Sequence, residues 1–496
     1  MTNITRRTLL IGSLGAASAL SVGGLAGCGR SSTAVGAASE AVRSAETTRR
    51  AAGQRVVTAR LTPRAATIDL GGRTVQTWAY GDSVPGPLLR ANAGDLLRVN
   101  VENTLPAETS VHWHGIALRN DMDGVPGITQ APIGTGAVFT YEFTAPDPGT
   151  YFYHPHSGVQ LDRGLHGALV IDDPQEPGGY DEEWIVVLDD WIDGTGTTPD
   201  EALKKLQAGG AQDGAMSGMG DMGSMGETMQ SPLLGGAGDI SYPHYLLNGR
   251  VAASPVTLSG RPGQRVRVRF INAGSDTAFR VALGGHQMTV THCDGYPVQP
   301  AVADALLIGM GERFDVLVTL ADGAFPLVAS AEGKNGQGLA VVRTSPGAGA
   351  RAAETTPAEL NGRVLLGTDL LAGAPARLPD RAVDTTHDLI LGGFMGGHQW
   401  TLNGKRFPDT APLEVRQEQR VRLRFLNRTM MFHPMHVHGH TFALTAGGAR
   451  KDTAIVRPMQ QLEVDFQADN PGQWATHCHN IYHAEAGMMT TISYRE

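Results

Sequence analysis

Four His-x-His pairs, set at matched offsets in a weak internal repeat, leave this chain few ways to fold. One strand pattern occurs three times, over residues 94–103, 263–272 and 418–427. In each copy apolar and polar residues alternate at period two and the run ends in Asn, which predicts a half-buried strand closed by a turn. A strand–turn–strand pattern also recurs three times, around Pro148-Gly149, Asp322-Gly323 and Pro471-Gly472. Repeats of this length point to three similar domains rather than a solenoid of short units. Antiparallel strands with regular turn signals predict an all-β chain of three Greek-key β-sandwiches. The expected limits are residues 53–175, 176–350 and 351–496.

The histidines ride on this repeat. Nine residues after Asn103 comes His112, in His112-Trp113-His114-Gly115, and nine after Asn427 comes His436, in His436-Val437-His438-Gly439. Five residues after Gly149 comes His154, in His154-Pro155-His156, and five after Gly472 comes His477, in His477-Cys478-His479. Eight of the 17 histidines therefore sit at equivalent places in the first and third repeats. The middle repeat carries Val281 and Val328 there, so it reads as a spacer, with the metal site where domains 1 and 3 meet. On a strand, residues i and i+2 face the same way, so each pair aims two imidazoles at one place. Four facing pairs can hold three metal ions, and imidazole-rich, carboxylate-poor ligation suits copper better than magnesium or calcium.

A further motif in the last repeat adds a second kind of site. Cys478, His483 and Met488 are spaced Cys-x4-His-x4-Met, with His433 upstream in His433-Pro434-Met435-His436. One thiolate, two imidazoles and a weak axial thioether make a blue-copper electron-transfer site. Cys478 lies between His477 and His479, so an electron on its sulfur is one residue from the cluster in either direction. The matching position in the first repeat is Pro155, which cannot bind copper.

The four segments His112-Trp113-His114-Gly115, His154-Pro155-His156, His433-Pro434-Met435-His436-Val437-His438 and His477-Cys478-His479-Asn480-Ile481-Tyr482-His483 with Met488 resemble the copper motifs of the multicopper oxidases. The resemblance in order and spacing covers roughly residues 53–496. It implies three cupredoxin-like domains and four coppers. The type 1 (blue) copper would take His433, Cys478, His483 and axial Met488. The type 2 copper would take His112 and His436. The type 3 pair would take His114, His154, His156, His438, His477 and His479. The reaction implied is four one-electron oxidations of a substrate coupled to reduction of O2 to two waters. Family members keep an acid after the first motif, and Asp123 matches it, with Asp121 a second candidate. They often place a Glu directly after the second blue-site histidine, where this chain has Ala484; Glu485, one residue on, is the candidate for that proton-donating role.

The N-terminus reads as targeting sequence. Arg6 and Arg7 precede an apolar run over residues 8–26, which resembles a twin-arginine export signal. The run ends Leu25-Ala26-Gly27-Cys28, which resembles a bacterial lipobox. Residues 1–27 are expected to be removed, Cys28 to carry lipid, and residues 28–52, rich in Ala, Ser, Thr and Arg, to be a tether. No other apolar run of about 20 residues follows, so the membrane would be met only through the anchor, at the periplasmic or extracellular face. With Cys478 a ligand, no Cys293–Cys478 disulfide is expected, and Cys293 reads as a small buried hydrophobe.

A net charge of -9 and a pI near 6.0 argue against a nucleic-acid partner. The expected partners are O2 and a reducing substrate, with the chain a monomer. Five methionines recur in a Gly-rich stretch over residues 216–229, within an expected surface loop at 214–230. Thioethers select Cu(I). The favoured reading is a cuprous oxidase serving copper tolerance, with phenols as side substrates. A general laccase-type phenol or amine oxidase is the alternative among enzymes, and a copper-sequestering lipoprotein the alternative outside them. A ferroxidase role is left open, and a two-domain copper nitrite reductase lacks the full set of pairs.

Overall fold

The computed structural model describes residues 33–176, 178–209, 230–345, 356–394 and 398–496. The export signal, Cys28 and the five methionines of residues 216–229 lie outside them. Among the described residues no helix is long and apolar enough to cross a membrane.

Strands dominate, and they assemble into three successive sandwich modules. In the first, the strands Val56–Leu61, Leu96–Glu102 and Val138–Thr144 form one sheet, and Leu89–Asn92, Gly167–Asp172, Gly149–His154 and His112–His114 form the other. The middle module packs a seven-stranded sheet against a six-stranded one, and the last a six-stranded against a five-stranded one. The strand Val364–Leu366, beyond the boundary expected at residue 350, pairs in parallel with Ala305–Ile308 and so completes the middle module.

The three repeated strands do form, and the Asn that ends each one performs the same task. Asn103 donates to the carbonyls of Ala107 and Ile133, Asn272 to those of Thr277 and Ile308, and Asn427 to those of Met431 and Val456. All three side chains are buried. Each clamps the following loop, which satisfies buried carbonyls that would otherwise lack donors. In the first and third copies that clamped loop delivers the chain to the first histidine nine residues later.

The half-buried expectation fails for the middle copy. In Arg265–Asn272 every residue after the first is buried, including Arg267 and Arg269. Their polar face packs on the first module: Arg269 donates to Thr150 Oγ1 at 2.8 Å, and both arginines reach Asp315 Oδ2 at 2.6 and 3.0 Å. Buried charge is tolerated here because it is paired.

The stretch expected as a tether also differs. Glu40–Arg49 is a helix capped by Ser39, with Val42 and Glu46 buried. It runs across two modules. Glu46 Oε1 accepts from Thr144 N at 3.1 Å and Thr144 Oγ1 at 3.0 Å in the first module. Arg49 donates to Asn470 at 2.9 Å, and Val35 N to Tyr494 O at 2.9 Å, in the third. Modules one and three approach closely at Gly472 (φ 149°), where an added Cβ would lie 2.3 Å from Asn120 Cγ.

Candidate metal centre

The four His-x-His pairs converge between the first and third modules. Within each module the pairs face one another across neighbouring strands: His112 pairs with His154, and His436 with His477. Between modules the rings stack, His112 on His438 at 3.9 Å and His114 on His436 at 3.8 Å between centroids.

The ring nitrogens sort into groups. His114, His154 and His479 offer nitrogens within 4.8 Å of one another, as do His156, His438 and His477, and as do His112, His114 and His436. Buried nitrogens of His112 (Nε2), His114 (Nδ1), His154 (Nε2), His436 (Nε2) and His479 (both) have no hydrogen-bond partner. Buried donors and acceptors are ordinarily satisfied, so orphans clustered in this way mark a metal-binding centre. Burial first, and repulsion between neighbouring rings second, hold His114, His154, His156, His438, His477 and His479 well below the ordinary histidine pKa. Neutral imidazole is the form that ligates a metal.

The outward nitrogens are fixed by hydrogen bonds. His112 Nδ1 donates to the carbonyl of Asp123 at 2.8 Å, and the Asp123 carboxylate takes His438 Nδ1 at 2.9 Å. The third module repeats this: His436 Nδ1 faces the carbonyl of Asp452 at 3.0 Å, and the Asp452 carboxylate takes His114 Nε2 at 3.1 Å. Each aspartate thus holds one histidine of its own module through its backbone and one of the opposite module through its side chain. His114 consequently turns Nδ1 inward where its neighbours turn Nε2. Gly115 makes room for this: an added Cβ would lie 2.6 Å from Asp452 Oδ2.

A second cluster lies in the third module. Cys478 Sγ is 3.6 Å from Nδ1 of both His433 and His483, and those two nitrogens are 3.1 Å apart. Met488 is buried beside them, its carbonyl accepting from Cys478 N at 3.1 Å. His433 Nε2 meets Thr429 Oγ1 at 2.8 Å and His483 Nε2 meets Asp239 Oδ2 at 2.8 Å. Burial disfavours a charged His483 ring, but Asp239 outweighs it and raises the group to about 10. The Trp400 ring covers His483 at 4.1 Å. One sulfur and two ring nitrogens in a dry pocket fit copper, and the imidazole-only cluster fits it equally.

Of the residues singled out in the sequence, eleven of the twelve proposed ligands fall in these two clusters, Met488 is buried and backbone-bonded to Cys478, and Asp123 is wholly buried against the larger cluster. Glu485 is not brought in. It ends the helix Ile481–Glu485 on the exposed side and makes no hydrogen bond to a ligand among the described residues. Asp121 is engaged by Arg119 at 2.6 Å instead. Asp452, Asp239, Thr429 and Arg313 were missed. Asp452 answers Asp123 in its contacts, but it follows His436 by 16 residues where Asp123 follows His112 by 11, so the spacing of the repeat does not reveal it. Nothing local marks the others. Nor is the middle module a passive spacer: Asp239 reaches the sulfur site, and Arg313 clamps Asp452 with bonds of 2.7 and 2.5 Å.

Comparison with known proteins agrees with this geometry. Family models described as multicopper oxidase match residues 63–176, 182–347 and 382–496. The multicopper oxidase MmcO of Mycobacterium tuberculosis is 51% identical over 481 residues, covering 95% of this chain and 94% of that protein. A copper resistance protein A homolog of Pseudomonas syringae pv. tomato is 30% identical, covering 86% of this chain and 91% of that protein. The laccase of Botrytis aclada superposes with a TM-score of 0.73 at 25% identity, covering 88% of each chain. The three sandwiches are cupredoxin-like, as in these structures. The chain belongs to the multicopper oxidase family, oxidoreductases that carry type 1, type 2 and type 3 copper and use O2 as electron acceptor.

Proposed function

We propose that this oxidase takes its electrons chiefly from Cu(I), with phenols as side substrates, and serves copper tolerance. Type 1 copper is held by His433, Cys478, His483 and Met488, type 2 by His112 and His436, and the type 3 pair by the other six histidines. Bound there, copper supplies one-electron chemistry and four-electron reduction of O2. The chain's own residues do the rest. Cys478 joins the sulfur site to both His477 and His479 through its backbone. Asp239 and Trp400 shield His483 and fix its ring. Asp123 bridges both modules through His112 and His438 and contacts no Lys or Arg among the described residues, which makes it the candidate proton relay beside the cluster.

One observation carries the substrate. The segment leaving the methionine-rich stretch docks next to the sulfur site: Gly236 N donates to Met430 O at 3.0 Å, and Gly235 and Gly236 bridge to Met431, two residues before His433. Met430 and Met459 flank that contact with 66% and 57% of their surfaces exposed. Thioethers are thereby offered to a soft cation at the electron entry point. The Pseudomonas relative is named for copper resistance, which accords with this. Deleting residues 216–229 is expected to lower Cu(I) oxidation at least tenfold and phenol oxidation little. Equal loss on both substrates would leave a general laccase-type oxidase as the better reading.

The enzyme acts as a monomer, exported by the twin-arginine route and held by lipid on Cys28 at the outer face of a membrane. Membrane association that persists in Cys28→Ala would remove the anchor from this picture.

A further inference from the structure

Cys293 takes no part in the metal centre, yet it is not a mere apolar filler. It ends the strand Met288–Cys293 of the middle module, wholly buried, with Sγ 2.9 Å from Lys451 Nζ. Lys451 lies in the short strand Arg450–Lys451 of the third module and is also wholly buried. Asp294 Oδ2 at 2.9 Å and Glu312 Oε1 at 3.1 Å complete the site. The carboxylates alone account for a buried ammonium. They do not account for the sulfur, which approaches at a distance usual for the smaller oxygen atom. Burial pushes the thiol up. It would also strip the proton from Lys451, but Asp294 and its neighbours outweigh that. The resting pair is thus thiol and ammonium, inert until an oxidant arrives.

We infer that Cys293 and Lys451 are the site of an oxidative N–O–S crosslink, made with dioxygen, the enzyme's own co-substrate. Lys451 first yields its extra proton to Glu312, 3.1 Å away. Thiol, amine and O2 then give the bridge Sγ–O–Nζ and one water. The S–H bond and one N–H bond break, and S–O and N–O bonds form. Sulfur and nitrogen each give up two electrons, the four that reduce O2. Four equivalents of an added thiol reverse the step, releasing cysteine, lysine and water. The bridge would staple the middle module to the strand that leads directly into Asp452 and Thr453. Those two residues hold His114 and His436, so the staple stiffens the floor of the cluster.

The test uses full-length, copper-loaded enzyme turned over in air, then denatured without reductant, alkylated, digested and weighed. The expected product is a linked peptide pair containing Cys293 and Lys451, one oxygen heavier and two hydrogens lighter than the sum of its parts. It should be absent from enzyme kept under nitrogen and should disappear on thiol treatment. Cys293→Ser and Lys451→Arg should each abolish it, and since the wild-type comparison stands alone, misfolding of either variant does not blunt the test. Cys293 fully alkylated under every condition, or oxidised without linkage to Lys451, would overturn the assignment.

Discussion

Asp123 and Asp452 make the same two contacts in opposite modules, but their charge environments differ. Arg313 grips Asp452 with two hydrogen bonds. Burial alone would raise the Asp452 carboxyl, and Arg313 outweighs it, holding the group well below the carboxylate range. Asp452 is therefore a permanent anion that orients His114, while Asp123 has no such cation against it. Two expectations follow for single residues. Asp123→Asn keeps copper content normal and slows reoxidation of the reduced enzyme by about 10²-fold, the size of a lost acid–base contribution. Asp452→Asn instead removes the nearer of the two carboxylates that face the buried Arg313 guanidinium, costs about 3–5 kcal/mol and lowers copper content. Stopped-flow reoxidation with metal analysis separates the two, and unchanged reoxidation in Asp123→Asn would remove that residue from the proton path.

Among the elements, the helix Glu40–Arg49 shows how composition can mislead. Its Ala, Ser, Thr and Arg content is that of a linker, and its apolar face is little more than Val42. What holds it is a buried carboxylate, Glu46, spent on Thr144, with Arg49 reaching Asn470 on the far module. Glu46→Ala leaves the Thr144 N–H and hydroxyl buried without acceptors, a loss of about 1–3 kcal/mol. The melting temperature should fall with the blue absorption intact. An unchanged melting temperature would show that the helix contributes nothing to the union of modules one and three. The glycine turns and Asn clamps lie at the other extreme: their task is local, so their spacing alone reveals it.

At the scale of the whole molecule, the centre stabilises the fold that builds it. Each copper bound only by the folded chain adds about 2.7 kcal/mol once its free concentration is 100-fold above Kd. Copper removal should therefore lower the melting temperature. In the copper-free protein, eight histidines (114, 154, 156, 433, 436, 438, 477 and 479) have pKa values below the ordinary 6.5. The unfolded chain then binds more protons, so stability drops as pH falls through 6.5. His483, raised to about 10, works the other way and is outnumbered. Calorimetry of the stripped enzyme should show this decline between pH 7 and 5; a flat profile would mean the rings are solvated once copper leaves.

The sequence by itself determined the strand repeat, the order of the modules and the ten histidines and one cysteine that the fold gathers into two clusters. Those features depend on period-two alternation and on offsets of five or nine residues, which are properties of a short stretch of chain. Only the tertiary structure decided that Asp239 serves His483 from 244 positions away, that Arg313 neutralises Asp452 from 139, and that Cys293 meets Lys451 from 158. It also decided that Glu485 faces outward and that the arginines of the middle strand are buried. Strand alternation says which side chains share a face, but not what the face packs against. That is settled by docking one module on another, where charge is tolerated wherever a partner of opposite sign arrives to meet it.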